Sequence, residues 1–131
     1  MDREAMESRL EGCPGLERVW VLSALGRGEE AISEAQQELA VSTDPFRALL
    51  VLAYAYQRLY RWRDAAQVQE QALRAAVTKF REAQVRHQIG RRFFDEGLYL
   101  DAAAEFEWAG DLFKAAGRPR AAHTEGVSLS V

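Results

Sequence analysis

Apolar residues return every three or four positions along most of this chain, and polar residues fill the gaps. Leu16, Val19, Trp20 and Leu22 make one such stripe, Leu52, Ala53 and Tyr56 a second, and Ala102, Phe106 and Ala109 a third. That period belongs to helices with one buried face, and no stretch alternates as a half-buried strand does. The punctuation divides the pattern. Gly12-Cys13-Pro14-Gly15 separates a short helix over 2–11 from one ending near residue 25, with Pro14 in the first turn, where its missing N–H costs nothing. Gly26-Arg27-Gly28 turns the chain into a helix over 29–41 that opens on acids, as the helix dipole prefers. Ser42-Thr43-Asp44-Pro45 predicts an N-cap at Asp44 and a helical start at Pro45. The remaining helices are expected over 45–60, 63–76, 79–96 and 99–116, with Thr78 capping one of them. Gly117-Arg118-Pro119 closes the last pair, and 118–129 offers a short closing helix.

The pattern repeats. Ile89, Gly90, Phe93, Gly97, Tyr99, Ala102, Phe106 and Ala109 have counterparts 37 residues earlier in Leu52, Ala53, Tyr56, Tyr60, Trp62, Ala65, Gln69 and Ala72. A further 34 residues back stand Val19, Leu22, Gly26 and Ala31, with Glu38 where Ala72 and Ala109 are. Small residues mark close helix approaches, large ones fill the space beside them, and Gly97 suits the left-handed end of a helix, with Gly26 and Tyr60 at the matching positions. Gln69 departs from this rule by placing an amide where the third unit has Phe106. These residues resemble the tetratricopeptide repeat (TPR), a helix–turn–helix unit. The resemblance implies an all-α, right-handed α-solenoid in a single domain. Its three TPR-like hairpins fall at about 12–43, 45–77 and 79–116, with short terminal helices.

Composition and charge narrow the functional classes. The single Cys13 excludes an internal disulfide. No apolar run approaches the roughly 18 residues of a membrane span, and the polar start Met1-Asp2-Arg3-Glu4 does not read as a signal peptide. A cytoplasmic protein without a membrane association is the expectation. The net charge of −3 is unevenly distributed. Residues 1–46 carry ten acids and four bases, residues 47–92 three acids and ten bases, and residues 93–131 seven acids and three bases. A basic middle lies between acidic ends.

Candidate chemistry is sparse. There is no phosphate-binding glycine loop, zinc-protease helix, cysteine pair or nucleophile elbow. His87 and His123 are too far apart in sequence to suggest a metal site. Asp101 with Glu105, and Glu107 with Asp111, lie one helical turn apart, a spacing that ordinarily makes a solvated face. The chain is therefore expected not to be an enzyme and to need no cofactor or metal. Tyr56, Trp62, Phe93, Tyr99 and Phe106 occupy repeat positions and are assigned to core packing.

In the TPR family the first helix of each hairpin lines a concave groove. The resemblance thus implies a peptide- or partner-binding surface of Trp20, Arg47, Tyr54, Arg58, His87, Arg91 and Phe94. Aromatic anchors beside arginine suit such surfaces. Packing between neighbouring first helices is the alternative reading for Trp20 and Tyr54. The family's lysine–asparagine–arginine clamp for a chaperone's terminal carboxylate is missing: Leu16, Trp20, Val51, Gln84 and Gln88 stand at those places. The expected function is a non-catalytic protein–protein interaction module for a peptide or partner helix of acidic character. The alternative is the TPR part of a bacterial transcriptional regulator, suggested by the Gly26–Ala31 turn and the abundance of arginine. That part would mediate self-association or sensing, with nucleic acid contacted by the basic middle or by another protein. Homo-oligomer formation through complementary basic and acidic regions is a further expectation.

Overall fold

A computed structural model describes residues 2–12 and 15–117. Cys13, Pro14, His123 and the expected closing helix over 118–129 lie outside the described residues. Within them the chain is all-helical, without a strand. The helices are α1 (Arg3–Gly12), α2 (Gly15–Ala24), α3 (Gly28–Val41), α4 (Pro45–Arg58), α5 (Trp62–Ala75), α6 (Lys79–Asp95) and α7 (Tyr99–Ala115). Between Val68 and Gln69, inside α5, the chain divides into two compact units.

In the first unit α2 packs on α3, α4 packs on both, and α1 rests on α2. Val19, Val21, Leu22, Ala31, Ile32, Ala35, Leu49, Leu52 and Ala53 are all buried there. Burial of each larger aliphatic side chain contributes about 1.5–3 kcal/mol. In the second unit α6 and α7 form an antiparallel hairpin, as three contacts along their length demonstrate. Near the turn, a Cβ on Gly90 would sit 3.0 Å from the Phe106 ring and 3.3 Å from the Ala102 carbonyl oxygen. Midway, Arg86 meets Glu105 at 3.5 Å. At the far end the Phe80 and Phe113 rings meet edge to face at 5.6 Å. A side chain at position 90 would therefore crowd the crossing, and glycine lets the two helices approach without that adjustment.

The turns that make hairpins repeat atom for atom. The N–H groups of Arg27, Arg61 and Leu98 donate to the carbonyls of Leu22, Tyr56 and Phe93 at 2.9, 3.0 and 2.8 Å. The preceding N–H groups, of Gly26, Tyr60 and Gly97, donate to Ser23, Gln57 and Phe94 at 3.1, 3.0 and 3.0 Å. This pair of bonds closes a helix with a left-handed residue. Gly26, Tyr60 and Gly97 accordingly have φ of 79°, 59° and 85°. The next helix begins in the same way each time, with Ala31, Ala65 and Ala102 donating to the carbonyls of Arg27, Arg61 and Leu98. The corresponding inner positions are buried throughout: Val19, Ala53 and Gly90; Ala31, Ala65 and Ala102; Ala35, Gln69 and Phe106.

Four local expectations change. Asp44 occupies the N-cap of α4 and Pro45 its first turn, but the Asp44 side chain makes no capping bond. The Ser42 hydroxyl organises the corner instead, accepting from the Asp44 N–H at 3.1 Å and donating to its carbonyl at 2.8 Å. Tyr99 is not core: it is 63% exposed, with its ring edge-on to Phe94 at 5.2 Å. Glu105 is not on a solvated face, because its carboxylate turns in toward Arg86. Gln69, 1% exposed, is a satisfied buried amide. Its Nε2 donates to Gln88 Oε1 at 3.0 Å and its Oε1 accepts from Arg92 Nε at 2.8 Å. Polar pairing here replaces the apolar contact that Phe106 makes at the matching position of the α6–α7 hairpin. Thr78 does cap α6, its hydroxyl accepting from the Arg81 N–H at 3.1 Å.

Candidate functional site

The expected surface residues fall into two sets, one in each unit. Arg47, Tyr54 and Arg58 all lie on α4, separated by seven and four residues. At 3.6 residues per turn these steps return to nearly the same side of the helix. Both arginines are exposed and Tyr54 is half-buried. Leu50 and Val51, also half-buried, lie on the same side. The outer side of α4 is therefore an apolar strip with an arginine at each end, about 16 Å apart at 1.5 Å per residue. No acidic residue occurs anywhere in α4. Neither Arg47 nor Arg58 forms an ion pair among the described residues. Arg18, Arg27 and Arg61 in the same unit do, with Glu34 at 3.0 Å, Glu30 at 2.7 Å and Asp64 at 2.9 Å. The charge at the ends of the α4 strip is left uncompensated.

Trp20 lies on α2, the helix that packs against α4. Its neighbours Val19 and Val21 are fully buried, whereas Trp20 is 46% exposed. A large aromatic at that exposure adds apolar area to the surface of the first unit. Trp20 is thus a surface residue of that unit, whereas Tyr54 is only partly uncovered.

The second set is less uniform. Arg91 is exposed, with its Nε 3.7 Å from Asp95 and its guanidinium 5.8 Å from the Phe94 ring. Phe94 is half-buried and leans on Tyr99. His87 turns toward α7, its ring 5.1 Å from that of the buried Phe106. The hairpin contact places His87 beside the core of its own unit.

Two features of this unit had no forecast in the sequence. Arg86, which pairs with Glu105, also lies 3.6 Å over the ring of the exposed Trp108. Burial pushes the Glu105 carboxyl above its usual range, and the nearby Arg86 offsets part of that rise. The second feature is the α6–α7 turn, where Leu98, Tyr99 and Leu100 are 45%, 63% and 89% exposed. Aligning the three turns would have revealed it. The positions of Leu98 and Leu100 hold Arg27 and Glu29 in the first turn, and Arg61 and Arg63 in the second.

No group of three or more His, Cys, Asp or Glu side chains among the described residues is arranged to hold a metal ion. Among the described residues no helix is long and apolar enough to cross a membrane. Compared with models of known protein families, with curated proteins and with solved structures, the chain gives no match.

Proposed function

We propose that the chain is a TPR-like helical-repeat scaffold and a non-catalytic interaction module. In this reading the outer side of α4, with Trp20 beside it on α2, receives a segment of a partner protein. The observation that carries it is the Arg47–Leu50–Val51–Tyr54–Arg58 strip: apolar in the middle, cationic at both ends and free of acids. Such a strip suits a helix or extended segment with an apolar centre and carboxylates toward its ends. The arginines orient the segment through charge-assisted bonds, and the aromatics supply contact area at little entropic cost. The recurrence of one turn geometry at three places supports the repeat reading.

A panel of fluorescent amphipathic peptides, with glutamates or lysines at ends about 16 Å apart, tests this by anisotropy. Acidic peptides are expected to bind and their lysine counterparts not to. Tyr54→Ala and Arg58→Glu are each expected to weaken binding more than tenfold, about 1.4 kcal/mol, with helical content unchanged. Equal binding of both peptide classes, or indifference to Tyr54→Ala, would refute the assignment.

A further inference from the structure

Turns one and two follow a common rule that turn three breaks. In the first, Arg27 sits just before its helix and bonds the acid three residues on, Nη2 to Glu30 Oε2 at 2.7 Å. In the second, Arg61 Nε bonds Asp64 Oδ2 at 2.9 Å. The backbone at Arg27 and at Leu98 has nearly the same conformation, φ −98° and ψ 58° against φ −91° and ψ 71°. The acid three residues on is also kept, as Asp101. Only the arginine is gone. Asp101 consequently pairs with no cation among the described residues, and the leucines at 98 and 100 stand out in solvent with Tyr99 between them. Exposed leucines at a hairpin tip do nothing for the turn itself, whose hydrogen bonds are backbone bonds common to all three. An exposed apolar patch rimmed by charge marks a contact surface.

The same chain carries a complement. The α4 strip is apolar between two uncompensated cations; the third turn is apolar beside an uncompensated carboxylate. We infer that the α6–α7 turn of one copy docks on the Arg47–Tyr54–Arg58 strip of a second copy, with Leu98 and Leu100 against Leu50, Val51 and Tyr54 and with Asp101 near an arginine. This rests on the acceptor role proposed above for the strip and names its partner. The contact joins different surfaces on the two copies, so each copy keeps one unused donor and one unused acceptor. A contact of this few residues falls at or below about 1,200 Å² of total buried area, the range of transient complexes. Association is therefore expected to be weak and transient.

Sedimentation equilibrium of the full chain, from about 10 µM to 1 mM, tests the inference. The average mass of the unaltered chain is expected to rise with concentration past that of a dimer, and to fall back toward monomer in high salt. Leu98→Arg with Leu100→Asp removes the donor, and Arg47→Glu with Arg58→Glu removes the acceptor. Each altered chain alone is expected to stay monomeric. Their equimolar mixture is expected to form a one-to-one dimer and stop there, since one good donor meets one good acceptor. Leu100→Asp alone, at the most exposed of these positions, serves if the double change unfolds the hairpin, and is expected to weaken association at least tenfold. A chain that is monomeric throughout, a donor-dead chain that still associates, or a mixture that stays monomeric would each overturn the inference. The peptide assay separates the two levels. If acidic peptides bind through Arg58 but the chain never self-associates, only this inference fails. If peptide binding ignores Arg58, the acceptor reading fails with it.

Discussion

Tyr60 sits where the other two turns have glycine, and its φ of 59° places an L side chain in the left-handed region. Holding a non-glycine residue there costs roughly 1–2 kcal/mol. Against that cost stands the edge contact of its ring with Trp62 at 5.6 Å. Such a contact is worth roughly 0.5–1.5 kcal/mol when well buried. Tyr60 is 76% exposed, so the lower end applies. Comparing Tyr60→Ala with Tyr60→Gly removes the ring from both sides of the ledger. Alanine keeps the Cβ and its strain; glycine loses both but adds roughly 0.4–1 kcal/mol of unfolded-chain entropy. The glycine variant is therefore expected to be more stable than the alanine variant by about 0.5–1 kcal/mol. The reverse experiment is Gly97→Ala. Nothing lies within 4 Å of a Cβ built there, so the same two contributions apply, backbone strain less the unfolded-chain entropy of glycine, and the expected net cost is about 0.5–1 kcal/mol. Guanidinium unfolding followed by circular dichroism measures both differences, with the slope against denaturant required to stay constant. A glycine variant at position 60 less stable than the alanine variant, or a neutral Gly97→Ala, would show that the shared turn geometry is not what limits these positions.

The other expectations concern packing and titration. Ala102→Leu is expected to cost about 1–3 kcal/mol in denaturant unfolding, because Ala102 is 1% exposed against the crossing at Gly90. Gln69→Leu is expected to destabilise despite being more apolar, by about 1–2 kcal/mol, since Gln88 and Arg92 each lose a hydrogen-bond partner in a buried place. Glu105 has its carboxyl raised above the unfolded value by burial. The folded state therefore holds that proton more tightly. The contribution of Glu105 is most favourable below the ordinary glutamate range and declines as pH rises through the raised value. Denaturation of the unaltered chain and of Glu105→Gln at pH 4 to 7 should thus show the unaltered chain gaining relative stability toward the acid end. A gain in the opposite direction would mean that pairing with Arg86 outweighs burial.

The sequence made the fold legible where one residue type answers to one physical demand. Gly26 and Gly97 announced left-handed helix ends, Thr78 a cap, and Gly90, Ala65, Ala102 and Ala109 close approaches. Each holds in the structure. Tyr60 was legible only by register, because nothing in a tyrosine suggests positive φ. The inward turn of Glu105 and the pairing of Gln69 were illegible for a different reason. Both depend on residues 19 or more positions away, Arg86, Gln88 and Arg92, and on rotamers that periodicity does not encode. Among the surface residues, Arg47, Tyr54 and Arg58 were grouped by the TPR resemblance, and their spacing on α4 returns them to nearly the same side of that helix. The turn of His87 toward Phe106 was not legible in this way, since its position lies at the edge between the outer side of α6 and the side facing α7.

Where the turns agree, the shared residues explain the fold. Where turn three differs, stability offers no reason for the difference, and Leu98→Arg makes that argument measurable. The substitution restores the arginine that turns one and two carry, three residues ahead of a waiting acid. An exposed pair at that spacing contributes only about 0.3–0.5 kcal/mol. The long aliphatic stem of arginine also covers part of the surface that Leu98 covers now. The change should therefore leave stability within about 0.5 kcal/mol of the unaltered chain, a shift of roughly 2 °C or less in Tm. If that holds, the leucine is not needed for folding, and its exposure has to be explained by what it meets. If Leu98→Arg instead costs 2 kcal/mol or more, the leucine is part of the hairpin's own packing. The exposed tip then needs no partner to account for it.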